Sequence, residues 1–244
     1  MNSLAFYYSL IAAMGSLLGM TLLIFREKWA RANSIKLISF SGGIFLGLVF
    51  IHLLPESLEI NRDALWFALA GFISFYLLES FMLFHSHSDE EPSGERHHEF
   101  GSLAVIGLLI HSTLDGIAIG AGFEVNNTLG FLAVVAVLAH KIPDGIAIGG
   151  ILFHAKEPMK KVVLISVVIS AATPIGTILA SLFLKDIVPY SMGALLAFAA
   201  GFFLYISASD LIPQTHREHN VYNFIILISG IAAMYMLKLF FNVP

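Results

Sequence analysis

Eight apolar runs divide this chain, at roughly 4–25, 35–54, 64–84, 101–123, 128–150, 161–184, 189–211 and 222–241. Each is near the length of about 20 residues that a helix needs to cross a bilayer. Together they use nearly all of the 244 residues. The sequence therefore predicts a single transmembrane domain, 1–244, and no soluble one. Composition agrees: 12% of residues are Asp, Glu, Lys or Arg, against about 25% in a typical soluble domain. An ordinary cytosolic enzyme is excluded. The first run has no basic segment before it and is followed by Arg26, Lys28, Arg31 and Lys36, so it reads as a retained span rather than a cleaved signal.

Lysine and arginine are unevenly shared between the connections. Those after runs 1, 3, 5 and 7 hold Arg26, Lys28, Arg31, Lys36, Arg96, Lys156, Lys160, Lys161 and Arg217, whereas the opposite side holds Arg62, Lys185 and Lys238. The positive-inside rule then puts both termini outside the cytoplasm. The one long polar connection, residues 85–100, falls between spans 3 and 4 on the cytoplasmic side. It carries His85, His87, His97 and His98 among five carboxylates, a composition that reads either as a solvated acidic linker or as a weak, exchangeable metal-binding tract. A net charge of -4 gives no sign of a nucleic-acid partner. The absence of Cys removes disulfides, thiolate ligands and cysteine nucleophiles together. Any transition-metal chemistry must rest on His and carboxylates.

A charge at the bilayer centre costs about 2.5–3.5 kcal/mol on insertion scales, so ionisable residues inside spans are functional candidates. Two ten-residue segments stand out, HSTLDGIAIG at 111–120 and HKIPDGIAIG at 140–149. Both read H-x-x-x-D-G-I-A-I-G, at an offset of 29. Residues i and i+4 share a helix face, so each His and its Asp can grip one ion. Two such pairs face to face give an N2O2 set of His111, Asp115, His140 and Asp144. Imidazole with carboxylate suits Zn2+, or Fe2+, Mn2+ and Co2+, and suits Cu+ poorly without sulfur. Pro143 withholds one helical N–H and frees a carbonyl near Ala139, and the glycines that follow each Asp permit close helix approach.

A fainter repeat appears at an offset of 158. GGIFLGLVFIHLLPES at 42–57 aligns with AGFFLYISASDLIPQT at 200–215, pairing Phe45 with Phe203, His52 with Asp210 and Pro55 with Pro213. Spans 2 and 7 run in opposite directions under the topology above, so the repeat is inverted, as in many secondary transporters. It makes His52 and Asp210, with Glu56 at the end of span 2, polar stations beside the central helices.

On these residues the chain resembles the ZIP family of metal transporters. The resemblance spans the whole chain: eight spans, a His-bearing loop between spans 3 and 4, and the H-x-x-x-[DE]-G signatures of spans 4 and 5. It implies an all-α membrane fold with a 3+2+3 inverted-repeat arrangement, and passage of Zn2+, with Fe2+, Mn2+ or Cd2+ as further cargo, toward the cytoplasm. Some members hold a second metal through an Asn after the span 4 His, an Asp after the span 5 His and a Glu in span 6. Here those positions carry Ser112, Lys141 and Thr173. An ammonium beside the site supplies the charge of a second ion, so the expectation is a mononuclear site with Lys141 as counter-ion to Asp115 or Asp144.

The competing class is an intramembrane zinc hydrolase, since a His/Asp-bound Zn2+ with an open position can activate water. It needs a general base, for which Glu79 is the nearest recruit. A metal-sensing receptor without flux is a third reading. The transporter reading carries further expectations: a bilayer and a divalent ion as partners, residence in a plasma or bacterial inner membrane, and Gly-rich helix faces as the surface for a homodimer.

Overall fold

Hydrocarbon offers no water to backbone N–H and C=O groups, so an apolar span satisfies them within its own helix. The structure, a computed structural model, describes residues 3–86, 96–183, 189–216 and 220–241, with side chains placed at all of these except 82–86, 96–104, 139, 189 and 241. All its regular elements are helices, and eight of them are long and apolar enough to cross a membrane. They are α1 (Ser3–Ile24), α2 (Ser34–Ile60), α3 (Ala64–Ser86), α4 (Arg96–Val125), α5 (Asn127–His154), α6 (Met159–Phe183), α7 (Tyr190–His216) and α8 (Val221–Phe241). A short helix, Glu27–Ala32, joins α1 to α2. The loop candidate His87 lies outside the described residues, as do the side chains of His85, His97 and His98.

Helices α2 and α7 outrun the apolar segments read for them, which end near 54 and 211. The reason is local. Each contains a widened, π-type turn, Leu48–Leu53 in α2 and Ile206–Leu211 in α7, followed by Pro55 and Pro213. Proline has no N–H to give the carbonyl four residues back, and a widened turn absorbs the mismatch without ending the helix. In α2 the carbonyl of Ile51 accepts instead from Lys238 Nζ of α8, at 3.3 Å. The two widened turns stand 158 residues apart, the offset of the fainter repeat. Helix α5 runs through Pro143 unbroken.

Helix α1 packs on α5 and α4 on α6, while α8 packs on α2 and α3 on α7; α4 and α5 lie side by side in the middle. The first two pairs meet through glycine. A Cβ at Gly116 would stand 1.8 Å from the Thr173 carbonyl oxygen of α6, and one at Gly145 would stand 2.0 Å from the Ser16 carbonyl oxygen of α1. The backbones touch there, as small residues allow in membrane helices. Where α2 and α7 face each other, the wholly buried rings of Phe45 and Phe203 stack at 4.9 Å. Large apolar side chains cover the outside, among them Trp66, Phe183 and Phe224. A shell of that kind faces lipid rather than water.

Candidate metal centre

The i, i+4 spacing delivers His111 and Asp115 to one face of α4, and His140 and Asp144 to one face of α5. The two faces meet. His111 Nε2 lies 2.9 Å from Asp115 Oδ2 on its own helix and 3.3 Å from Asp144 Oδ2 on the other; His140 Nε2 lies 3.3 Å from Asp115 Oδ2 and 4.0 Å from Asp144 Oδ2. One ligand atom from each residue fits within a sphere of mutual distances of 4.8 Å. None of the four residues is more than 7% exposed. Among the described residues this is the one such cluster of metal-ligating side chains.

Each imidazole is held by a partner outside the cluster. His140 Nδ1 lies 2.8 Å from the Ala136 carbonyl oxygen. Donation from Nδ1 leaves the lone pair on Nε2, the nitrogen that faces the carboxylates, which is the tautomer a metal requires. His111 packs edge-on against Phe203, ring centroids 3.9 Å apart. The sequence reading did not single out either support. Ala136 sits one helical turn before His140, a spacing at which a carbonyl accepts from a side chain, but such a carbonyl is hidden among many. Phe203 pairs with Phe45 in the repeat, and nothing in that pattern reports its contact with His111.

Lys141 is wholly buried. Its Nζ lies 2.8 Å from Asp115 Oδ2, 3.7 Å from Asp144 Oδ2 and 3.1 Å from Ser112 Oγ, to which it donates. Two acceptors, Asp115 and Ser112, thus lie within hydrogen-bond distance of the ammonium, and Asp144 adds a longer ion pair. Two carboxylates against one ammonium leave the cluster at net -1 with neutral imidazoles, an electrostatic well for a cation. Thr173 is fully buried on α6, and the neighbouring Thr177 donates to the Gly116 carbonyl at 2.9 Å, tying α6 to the turn that follows Asp115.

The outlying candidates divide. His52 and Glu56 line a small cavity of about 30 Å³ together with Asp115, His140 and Met192. That is room for a water or two, so α2 places two ionisable side chains, His52 and Glu56, beside the cluster. Asp210 is buried on α7 away from this cavity. Glu79, the base a hydrolase would recruit, accepts a 2.5 Å hydrogen bond from the Tyr205 hydroxyl and has no contact with the His/Asp cluster.

The fold and this centre define a polytopic helical membrane protein with a buried, anionic His/Asp site. The chain belongs to the ZIP zinc transporter family, whose family model matches residues 85–238. It is 33% identical over 220 residues to the zinc transporter ZupT of Chlorobium luteolum (strain DSM 273), an alignment covering 81% of this chain and 82% of that protein. It is 34% identical over 220 residues, with the same coverage, to the zinc transporter ZupT of Chlorobium phaeovibrioides (strain DSM 265).

Proposed function

We propose that this protein moves a divalent transition-metal ion, Zn2+ foremost, across a plasma or bacterial inner membrane toward the cytoplasm. The observation that carries the reading is the convergence of His111, Asp115, His140 and Asp144 from two repeated helices onto one buried point. Two imidazoles and two carboxylates match the ligand preference of Zn2+ and tolerate Fe2+, Mn2+ or Cd2+. Membership of a zinc transporter family supports transport over hydrolysis, and the engagement of Glu79 by Tyr205 deprives a hydrolase of its base.

The 3+2+3 inverted repeat is part of this reading. It is supported by the matched widened turns of α2 and α7 and by matched packing, α1 on α5 against α6 on α4, and α3 on α7 against α8 on α2. Both termini lie outside the cytoplasm, and the stretch 85–100, which the sequence reads as a loop, begins on the last turn of α3 and ends on the first turns of α4; it lies on the cytoplasmic side, where His85, His87, His97 and His98 collect released ions. The glycine faces that suggested a homodimer are covered within the chain at Gly19, Gly43, Gly71, Gly116 and Gly145. A second copy would dock on the apolar outer helices instead.

Lys141 makes the site mononuclear, its ammonium occupying the place of a second cation. Anomalous diffraction at the zinc edge should find one ion at the cluster; two ions within about 5 Å would sink this assignment. Proteoliposomes loaded with a zinc dye should take up Zn2+ with the native protein and lose uptake with His111→Ala or Asp144→Ala. Native flux in both variants would remove these residues from the pathway, and lipid hydrolysis by the purified protein would favour the enzyme.

A further inference from the structure

A cavity at the far end of α5 from the centre of the cluster is opposite to it in charge. It encloses about 690 Å³ between the α1–α2 connection and the ends of α5 and α7. Arg31, Lys36 and Lys156 line it, with Asn33, His154 and Gln214 supplying further polar groups. Among the described residues no acidic side chain lines it. Two carboxylates flanking the lining residues in sequence are engaged: Glu27 binds Arg31 at 2.9 Å, and Glu157 binds Lys161 at 2.7 Å. Lys36 and Lys156 are exposed and face no carboxylate among the described residues; Lys36 donates one N–H to Asn33 Oδ1. The first residues of α2, capped by no side chain, line the same space and add the positive end of the helix dipole.

Such a cavity repels the metal cargo, so it is no exit for the ion. It suits a phosphate. The short helix leading into it exposes Trp29, and Phe25 just before that helix is 81% exposed. Amphipathic and aromatic side chains at a span end mark the headgroup level of a bilayer. Basic pockets at that level hold anionic headgroups.

We propose that Arg31, Lys36 and Lys156 bind the phosphate of an anionic phospholipid headgroup. Arg31 is held in place for this by three contacts, to Glu27, to the Glu157 carbonyl at 2.8 Å and over the Phe153 ring at 4.7 Å. A headgroup seated there bridges the α1–α2 connection to the end of α5, the helix that carries His140 and Asp144.

The test is native mass spectrometry of the full chain, titrated in micelles with phosphatidylglycerol, with phosphatidylcholine, or with inorganic phosphate alone. The native protein should retain phosphatidylglycerol and not phosphatidylcholine. K36Q and K156Q should each weaken retention about fivefold, while K28Q, a change at an exposed cation outside the cavity, should leave it unchanged. Equal retention of the two lipids by the native protein overturns the proposal without recourse to any variant. An equal loss in K28Q overturns it in favour of diffuse surface charge. Displacement of phosphatidylglycerol by inorganic phosphate overturns the lipid assignment in favour of a soluble anion. Zinc-dependent melting of each variant verifies its fold.

Discussion

Replacing Lys141 with methionine should turn this protein into one whose stability depends on its cargo. The side chain is fully buried, so no water can stand in for the lost ammonium beside Asp115 and Asp144. Removing one partner of a buried charge pair costs about 3–5 kcal/mol. For a chain of this size about 1 kcal/mol moves the melting temperature by about 2–4 °C, so Lys141→Met in chelator should melt about 6–20 °C below the native protein. Zinc should restore the loss. On binding a divalent ion the native cluster passes from net -1 to +1, whereas the variant passes from -2 to 0. The ion then supplies what the ammonium supplied, and zinc should stabilise the variant by about 3–5 kcal/mol more than it stabilises the native protein. At about 1.4 kcal/mol per tenfold this is a tightening of about two to nearly four orders of magnitude in Kd. Tighter binding slows release, so uptake should show a lower KM and a lower maximal rate. The assay is thermal melting in detergent across a zinc titration, paired with proteoliposome uptake. Equal melting of both proteins in chelator, or an equal zinc-induced shift, would refute the idea that Lys141 replaces a cation.

Three other outcomes follow from the geometry. Gly145→Ala puts a methyl 2.0 Å from the Ser16 carbonyl, which should cost about 1–3 kcal/mol and displace the helix bearing His140 and Asp144; native uptake and melting would count against the packing described. Metal ligation needs deprotonated imidazole and carboxylate groups, so zinc affinity should fall as the medium is acidified; an affinity independent of pH would count against the His/Asp site. Asn126 caps α5, its side chain accepting from the Leu129 N–H at 2.9 Å, so Asn126→Ala should cost about 0.5–2 kcal/mol and lower the melting temperature while leaving uptake intact.

The spans and the convergence of the four His and Asp side chains could be read from sequence because each rests on a short-range rule. Span length is set by bilayer thickness, and His111 with Asp115, like His140 with Asp144, needs only helical spacing to share a face. Lys141 was legible too, as a charge with nowhere to go but the site. What escaped depends on how helices turn against one another. Phe203 reaches His111 from α7, more than ninety positions away along the chain, and Tyr205 claims Glu79 from the same helix; no local pattern reports such meetings. The apolar runs stop near 54 and 211, short of where α2 and α7 end, because no apolar pattern reports the widened turns beside Pro55 and Pro213, or that the Ile51 carbonyl is answered by Lys238 from α8.

An ion gripped by groups no more than 7% exposed cannot exchange with water until helices part, and the packing indicates which ones. Backbone oxygens abut the glycines of the α1–α5 and α4–α6 contacts at distances that leave nothing to slide on. The seam between α4 or α5 and the outer helices is different in kind. Apart from Gly150 against Leu37, it includes side-chain contacts, with Phe203 on His111 and a cavity of about 30 Å³ beside His52, and side chains can repack. An opening along that seam would carry α1, α4, α5 and α6 together and keep the four side chains of the cluster in one body. Cross-links can test this cleanly because the chain has no native Cys. Leu37 of α2 and Gly150 of α5 face each other across the seam, Cβ positions 2.8 Å apart, whereas Gly42 of α2 and Leu211 of α7 are 3.4 Å apart within the outer group. The Gly42–Leu211 separation is close to the about 3.5–4.5 Å that a disulfide spans, and the shorter Leu37–Gly150 pair reaches it when the two backbones part by about 1 Å. Oxidised Leu37→Cys with Gly150→Cys should stop zinc uptake and regain it on reduction, while oxidised Gly42→Cys with Leu211→Cys should continue to transport. Undiminished flux through the seam cross-link would mean that the ion leaves by a route that keeps α2 and α5 together.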